Sequence, residues 1–450
     1  MKSKYVILGL LLFSGAAAHA TGQAMMNLLK VLHDNGTIDN TAYEMLISAA
    51  KADAQNSESQ TRKVARQTAQ KSVSTSVRKE VAKATGDMPK PALPKALQGL
   101  KVGILGYADY SAGQMGTVGG RSTNFNRFTL TRGYFTVKKE ILPWMRVRMT
   151  TDIHQDATED WKVRLKYLYT ELRPSDFGFL TSMKSEIGLG HTAWLDFEEH
   201  VNPFRAQGTM AIERAGIFNS ADIGISLRGN LGGTLEDARA LTGNHHYDGR
   251  YGSWHLGVYN GGGYHATEKN RNKVLQGRIT VRPLPDVVPG LQLSYLGIFG
   301  KGNTALTPDY DVNLGMLSYE NPRWIFTAQY FDNTGNASGS RVNPVTNTAL
   351  DGNGYSFFGR VLLPVLDNKL GLFARYDNID PDVDGVLSND AGYQLSFAGL
   401  SYQIYKNNML ILVYEQANHD TDNGGIGKAP IIGNLLGDDR RFQAVYQMAF

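Results

Sequence analysis

From Lys101 to Phe450, apolar side chains recur at every second position in runs of about ten residues, and stretches rich in turn-forming residues separate the runs. Sixteen such runs can be marked, at 101–110, 125–139, 144–153, 161–173, 182–191, 221–230, 251–260, 273–283, 290–300, 310–320, 323–332, 354–363, 369–378, 392–405, 408–417 and 440–450. Period two is the signature of strands with two unlike faces. An even number of such strands can close into a barrel without leaving an edge. No blade-like or solenoid repeat competes with this pattern. The expected fold is an all-β transmembrane barrel of about 16 antiparallel strands.

The last run supports that fold. Phe442, Ala444, Tyr446, Met448 and Phe450 share one face, and Arg441, Gln443 and Gln447 share the other. An apolar strand ending at the carboxylate is an aggregation hazard in water, whereas a barrel wall accommodates it. Trp161, Tyr169, Trp254, Trp324, Tyr330 and Tyr446 sit where aromatic girdles of such barrels lie. Short connections alternate with long ones, as expected for a barrel with periplasmic turns and outer loops. The 231–250 connection breaks the alternation, so it is either a long exception or conceals a further strand pair.

Ahead of the barrel, residues 1–20 have the form of a signal peptide, with Lys2 and Lys4, an apolar run from Tyr5 to Ala18, and Ala18-His19-Ala20 for cleavage. Residues 21–86 are rich in Ala, Lys, Ser and Gln and are expected to be helical and periplasmic. Thr41 and Glu44 form a capping box opening a helix over Tyr43 to Ala54. Val64, Val73, Val77 and Val81 make a stripe too thin for a core, suited to an oligomeric coiled coil or to a partly disordered helix. Residues 87–100, with Pro89, Pro91 and Pro94, form a stiff linker. The barrel then occupies 101–450, and localisation in a bacterial outer membrane follows.

Composition narrows the chemistry. With no Cys, disulfides and Cys-based metal or redox centres are excluded. The formal charge of +4 is misleading about the barrel, because residues 21–100 carry 11 basic and 7 acidic side chains and residues 101–450 carry 33 and 35. Basic residues without a nucleic-acid fold do not point to nucleic acid. No Gly-x-Ser-x-Gly occurs, and Gly424-Gly425-Ile426-Gly427-Lys428 lacks the strand–helix context of a P-loop, so no enzyme and no cofactor are expected. His191 with Glu198, Glu199 and His200, and the pair His245-His246, lack a recognisable metal-ligand spacing.

Leu256-Gly257-Val258-Tyr259-Asn260-Gly261-Gly262-Gly263, Gln276-Gly277-Arg278, Arg282-Pro283-Leu284-Pro285, Phe373-Ala374-Arg375-Tyr376-Asp377 and the terminal Phe450 together resemble the phosphate-selective porin O and P family. Leu28 to Ser48, with its Asn-Gly-Thr-Ile turn, resembles the leader region of such porins. The resemblance covers roughly 100–450 and implies a homotrimer of 16-stranded barrels in outer-membrane lipid. It does not name the solute.

A channel's chemistry lies in its lumen charge and its narrowest point. Period-two phasing puts Val163, Leu165, Tyr167 and Tyr169 toward lipid and therefore Lys162, Arg164 and Lys166 inward. Val147 and Met149 likewise leave Arg146 and Arg148 inward. Arg228, Arg278, Arg282, Arg360, Arg375 and Arg441 follow the same logic, and the phase of Arg132 is ambiguous. A basic side chain on the lipid face near the midplane would cost ~2–4 kcal/mol. Inward acids are expected to be fewer, namely Glu186, Asp222, Asp377 and Glu415. The basic wall either favours anions or only pairs with loop acids.

The 192–220 connection carries Trp194, Asp196, Phe197, Glu198, Glu199, His200, Arg205, Glu213 and Arg214. It is either a surface loop or a constriction loop folded into the lumen. In the second case Asp196, Glu198 and Glu199 would face Arg146, Arg148, Lys162, Arg164 and Lys166 across the pore, in a transverse field. The expected function is passive diffusion of small hydrophilic solutes with an anion preference that extends to phosphate or other oxyanions. The alternative is a structural protein whose N-terminal coiled coil tethers the barrel to peptidoglycan or a periplasmic partner.

Overall fold

The computed structural model describes residues 97–117, 121–155, 160–387, 392–419 and 438–450, with 26–27, 30–31, 34–35, 39–41, 43–49, 51 and 94 ahead of them. Residues 43–49 are helical, within the span opened by the expected capping box. The signal peptide, the 61–83 stripe and most of the linker lie outside the described residues. So does the segment on which a coiled coil or a peptidoglycan contact would rest.

Sixteen strands form one closed antiparallel barrel. They are β1 (Leu100–Thr117), β2 (Arg121–Leu142), β3 (Met145–Gln155), β4 (Trp161–Leu172), β5 (Leu180–His191), β6 (Ala221–Leu231), β7 (Gly252–Tyr259), β8 (Val274–Val281), β9 (Leu291–Lys301), β10 (Asp309–Glu320), β11 (Trp324–Thr334), β12 (Asp351–Leu362), β13 (Leu370–Asp380), β14 (Tyr393–Tyr405), β15 (Asn408–His419) and β16 (Asp439–Ala449). Each strand pairs with its sequence neighbours, and β1 pairs with β16 to close the ring. The closure reaches the last residue, since the amides of Ile104 and Phe450 donate to each other's carbonyls at 3.3 and 3.1 Å. We call the end that holds the start of β1 and Phe450 the near end, and the opposite one the far end.

The alternation produces two unlike faces. Val163, Ile223, Ile225, Leu256 and Phe357 are exposed on the outside, although apolar. Asp152, Glu186, Arg278, Asp377 and Glu415 are buried on the inside, although charged. No helix among the described residues is long and apolar enough to cross a membrane. The 231–250 connection conceals no strand pair of the barrel. It holds one short helix, Ala238–Thr242, and an isolated bridge between Thr234 and Gly249.

The expected phasing fails at one place, in β4. Thr150 of β3 faces Tyr167, but the next residue, Thr151, faces Leu165, so Lys166 is the extra residue of a β-bulge. Beyond it the inward face moves from even to odd positions. Tyr167 and Tyr169 are therefore buried inside the barrel, not lipid-facing, and Tyr169 is not part of a girdle. Glu171 also turns inward, where phasing without the bulge would put it on the lipid side. Leu168 takes the outer face and is exposed.

The bulge predicts an asymmetry. Leu168→Arg should destabilise the folded barrel by ~2–4 kcal/mol, the cost of a cation in the hydrocarbon. Tyr169→Arg should escape that cost, because its side chain stays among lumen groups. Chemical unfolding in lipid vesicles checks both variants, and equal losses would place the two positions on one face.

Candidate pore and constriction site

The 192–220 connection folds into the lumen. Its neck is closed where Thr192 meets its other end, with the amide donating to the Ser220 carbonyl (3.2 Å) and the hydroxyl to the Asn219 carbonyl (2.9 Å). Between them lie two short helices, α1 (Leu195–Val201) and α2 (Ala211–Arg214). Trp194, Leu195, Phe197, Val201, Phe204, Met210, Ile212, Ile217 and Phe218 form one buried cluster with Leu296, Ile298, Val312, Leu314, Phe331, Leu395, Ile411 and Val413 of the wall. Phe204 stacks on Phe373 at 4.1 Å. Fully burying a side chain of this size stabilises by about 1.5–3 kcal/mol, so the apolar half of the connection fixes it against β9–β16.

Polar anchors set its register. Glu415 on β15 accepts from Gln207 (2.6 Å) and Arg214 (3.3 Å), and pairs with Arg441 at 2.8 Å. Arg375, held by Asp377, donates to the Thr209 carbonyl at 2.7 Å. Glu198 accepts from the Trp194 indole (2.7 Å) and from Gln329 of β11 (3.0 Å). Arg278 donates to the Ala193 carbonyl at 3.2 Å, with its guanidinium 4.3 Å from the Phe197 ring and 4.9 Å from that of Tyr247.

The opposite half of the lumen, β1–β6, is polar. Arg132 and Arg164 share Asp152 at 2.7 and 2.8 Å. Arg146 pairs with Glu140 at 2.5 Å and with Glu171 at 3.6 Å. Arg148 lies 4.5 Å from the Tyr167 ring and meets His191 at 3.2 Å. Lys166 donates to the Tyr134 hydroxyl at 3.2 Å. Arg228 bridges Glu186 (2.7 Å) and Asp196 (2.9 Å). Lys162 is more exposed, beside Asp160 at the far end. Arg282 caps the carbonyl of Gly249 near the other end (3.3 Å), and Arg360 lies in the field of Glu320.

Two expectations are revised here. The roster of inward acids is longer than expected, because Asp109, Glu140, Asp152, Glu171 and Glu320 join Glu186, Asp222, Asp377 and Glu415, although they remain fewer than the inward arginines and lysines. The expected transverse field is also broken up. Asp196 turns to Arg228, Glu198 to Gln329 and Glu199 to Arg205 at 3.0 Å. Glu199 alone among them keeps Lys166 as a leading charge partner across the gap. Arg205 is bracketed by Glu199 and Glu213. The clue to the docked loop was a wall strand apolar on both faces, Met409-Leu410-Ile411-Leu412-Val413, as expected for a strand buried on both sides.

Burial tunes the loop's own acids. It pushes the Glu198 carboxyl up to about 7, against the pull of Arg375. It raises Glu199 as well, against Arg205 and Lys166. Burial also opposes the charge of Asp196, yet His191, His200 and Arg228 hold its carboxyl well below the ordinary range. Among the described residues no group of three or more His, Asp or Glu side chains is arranged to hold a metal ion.

Two cavities flank the loop. The one toward the far end, about 430 Å³, is lined by Arg132, Arg164, Arg214 and Arg441 with Tyr264 and Glu213. The one toward the near end, about 550 Å³, is lined by Arg173, Lys184 and Arg228 with Asp176, Asp196 and Asp248. The first is predominantly basic and the second is mixed.

No protein-family model matches the sequence, and no curated protein matches it, so the resemblance to the phosphate-selective porins stands on the motifs quoted above. Solved structures match the fold. The anion-selective porin from Comamonas acidovorans aligns with a TM-score of 0.52 at 11% identity, over 78% of this chain and 100% of its own. Salmonella typhi OmpF, solved as a complex with daunomycin, aligns at 0.51 and 11% identity, over 78% and 97%. Pseudomonas putida OprB aligns at 0.50 and 10% identity, over 78% and 94%. At such identities the likeness is one of fold, the closed outer-membrane barrel.

A raised Glu198 gives a pH dependence of definite sign. Its acid form is favoured by docking, so the stabilisation is complete below its ordinary pKa of about 4.5 and is lost as pH rises through about 7. The loss should approach ~3 kcal/mol by pH 8. Glu198→Gln should remove this slope. Unfolding curves between pH 4 and pH 8, for the wild type and the variant, check it.

Proposed function

We propose that the protein is a bacterial outer-membrane porin, a water-filled channel for passive diffusion of small hydrophilic solutes with a preference for anions. The observation that carries this is the pair of polar cavities on either side of a constriction loop inside a closed barrel. A barrel meant only as an anchor has no need of charged groups lining spaces of this size. In this proposal the near end faces the periplasm, solutes enter at the far end, and the chain assembles as a homotrimer.

The anion preference rests on the far cavity. Arg132, Arg164, Arg214 and Arg441 share two buried carboxylates, Asp152 and Glu415, so each Arg–carboxylate–Arg group keeps an excess positive charge. Guanidinium groups suit oxyanions, to which they donate paired hydrogen bonds. Phosphate is one such solute, in keeping with the family resemblance. Past the loop, Arg146, Arg148 and Lys166 continue a basic wall that Glu140 and Glu171 partly offset. Arg205, Asp196 and Glu199 set the size and field of the narrow section.

Reversal potentials in planar bilayers under a salt gradient test the proposal. The wild type should select for anions. Arg132→Gln with Arg164→Gln leaves Asp152 without its two partners and should move the reversal potential toward cations. A cation-selective wild type would overturn the anion preference, and absence of conductance would overturn the channel.

A further inference from the structure

Residues 232–251, the long connection at the near end, have entered the channel so far only through Asp248 in the near cavity, Tyr247 beside Arg278 and the Gly249 carbonyl that Arg282 caps. They do not lie on the outside of the barrel. A short ladder carries them inward, with the Leu235 amide donating to the Asp248 carbonyl and the Arg250 amide to the Gly233 carbonyl. The helix Ala238–Thr242, α3, then brings the tip, residues 243–247, beneath the constriction helix α1.

Three observations meet at that tip. The first is the hold, a few hydrogen bonds beside a Tyr247 ring that packs against Phe197 and Arg278. Asn244 donates to the His200 carbonyl (2.8 Å) and to Glu320 at the end of β10 (3.0 Å), and the Tyr247 hydroxyl donates to Asp196. The second is backbone strain. Tyr247 has φ +52°, a left-handed conformation that bulky side chains avoid and that persists only where surrounding contacts enforce it. The third is a stack of imidazoles between the two loops. His200 of α1 and His246 lie 3.8 Å apart between ring centroids, and His246 and His245 lie 4.3 Å apart.

The geometry points to residues 232–251 as a proton-released strap across the near end of the channel, docked while the His246 ring, wedged between His200 and His245, is neutral and freed when that ring takes a proton. This rests on the channel reading above and concerns its regulation. Two imidazolium rings at such a separation repel each other. Among the groups facing them, Asp196 is a counter-charge 3.9 Å from the His200 ring, but it is shared with His191, Arg228 and the Tyr247 hydroxyl. Lys184 of β5, Arg228 of β6 and Arg173 of the β4–β5 turn add positive charge around the near cavity. Asp196 already takes Arg228 and Tyr247, Asp248 takes Asn230, Asp176 takes the Ser182 amide, and Glu320 takes Asn244. Once its contacts go, Tyr247 has nothing to enforce its backbone, so the strained state adds to the tendency to leave. Release removes one wall of the near cavity, to which the strap contributes Thr234, His245, His246, Tyr247 and Asp248, and so widens the exit.

The direction of the response follows from His246. Burial, then the neighbouring His200 and His245, push it down to about 3 in the docked strap. Docking is therefore complete above the ordinary imidazole range and weakens about tenfold per pH unit below ~6.5, down to about 3. Going from pH 7.5 to pH 5 should shift the equilibrium about 30-fold toward release.

Single-channel conductance of the full-length protein in planar bilayers tests this. The wild type should conduct more at pH 5 than at pH 7.5. His245→Asn with His246→Asn should lose that rise, and because Glu198 titrates in both proteins its contribution drops out of the comparison. Because the chain has no Cys, Asn244→Cys with Glu320→Cys gives a unique pair that a short bis-thiosulfonate reagent can bridge. Bridging should keep conductance low at both pH values, and a reductant should raise it in the same sample, because the unbridged pair lacks the Asn244 hydrogen bonds that hold the strap. A rise that survives the histidine changes or the bridge overturns the strap. Conductance that ignores pH overturns the strap alone, and no conductance at either pH overturns the channel and the strap together.

Discussion

Hydrocarbon offers the peptide backbone no hydrogen-bond partner, so every strand in it must be paired on both sides. The pairing of β1 with β16, carried out to Phe450, meets that demand for the whole ring. Everything else in the molecule hangs from it. Once the ring is closed, each side chain faces either lipid or lumen, and the choice is made by position along the strand. Charge is driven to one side by its cost on the other, which is how a chain with 20% charged residues puts so many carboxylates and guanidinium groups inside.

The lumen is then divided a second time. Against β9–β16 an apolar wall meets the apolar half of the 192–220 loop, and water is excluded. Against β1–β6 the loop turns a polar face toward arginines, lysines and tyrosines. Ion pairs such as those at Asp152 and Glu415 do not define the fold. They keep buried arginines in place, because a guanidinium left there without a carboxylate would be strongly destabilising. The lumen wall is thus neither purely basic nor simply neutral. Its charge excess is concentrated where two arginines share one acid.

Strand number, strand order and the inward placement of most arginines were legible in the sequence, because period two and turn residues are local signals. Tyr167 and Tyr169 fall on the face opposite to the expected one because a single unpaired residue, Lys166, leaves no mark in composition or spacing. The destination of the 192–220 loop was open because its anchors are remote in sequence. Gln207 and Arg214 meet Glu415 some two hundred positions further on, and Gln329 meets Glu198 across the barrel. The double-faced apolar run in β15 carried the missing information in a form that alternation alone does not read. The near-end connection escaped for another reason, since a loop that folds inward and one that folds outward share the same polar and glycine-rich composition.

The bulge at Lys166 makes the wall of this barrel behave as a shift register. Deleting Lys166 itself would only remove the bulge and leave Tyr167, Tyr169 and Glu171 inward, whereas deleting or inserting one residue elsewhere in β4, with no bulge to absorb it, exchanges the whole downstream set of side chains between oil and water without altering any of them. Most such frameshifts in orientation would be lethal to the barrel, because they would drive Glu171 into lipid. Those paired with a compensating slip in β3 would instead redraw the lumen in a single step. Variation in strand length by one residue is therefore a route by which barrels of this kind can change what they admit, and one that a residue-by-residue comparison of substitutions would not register.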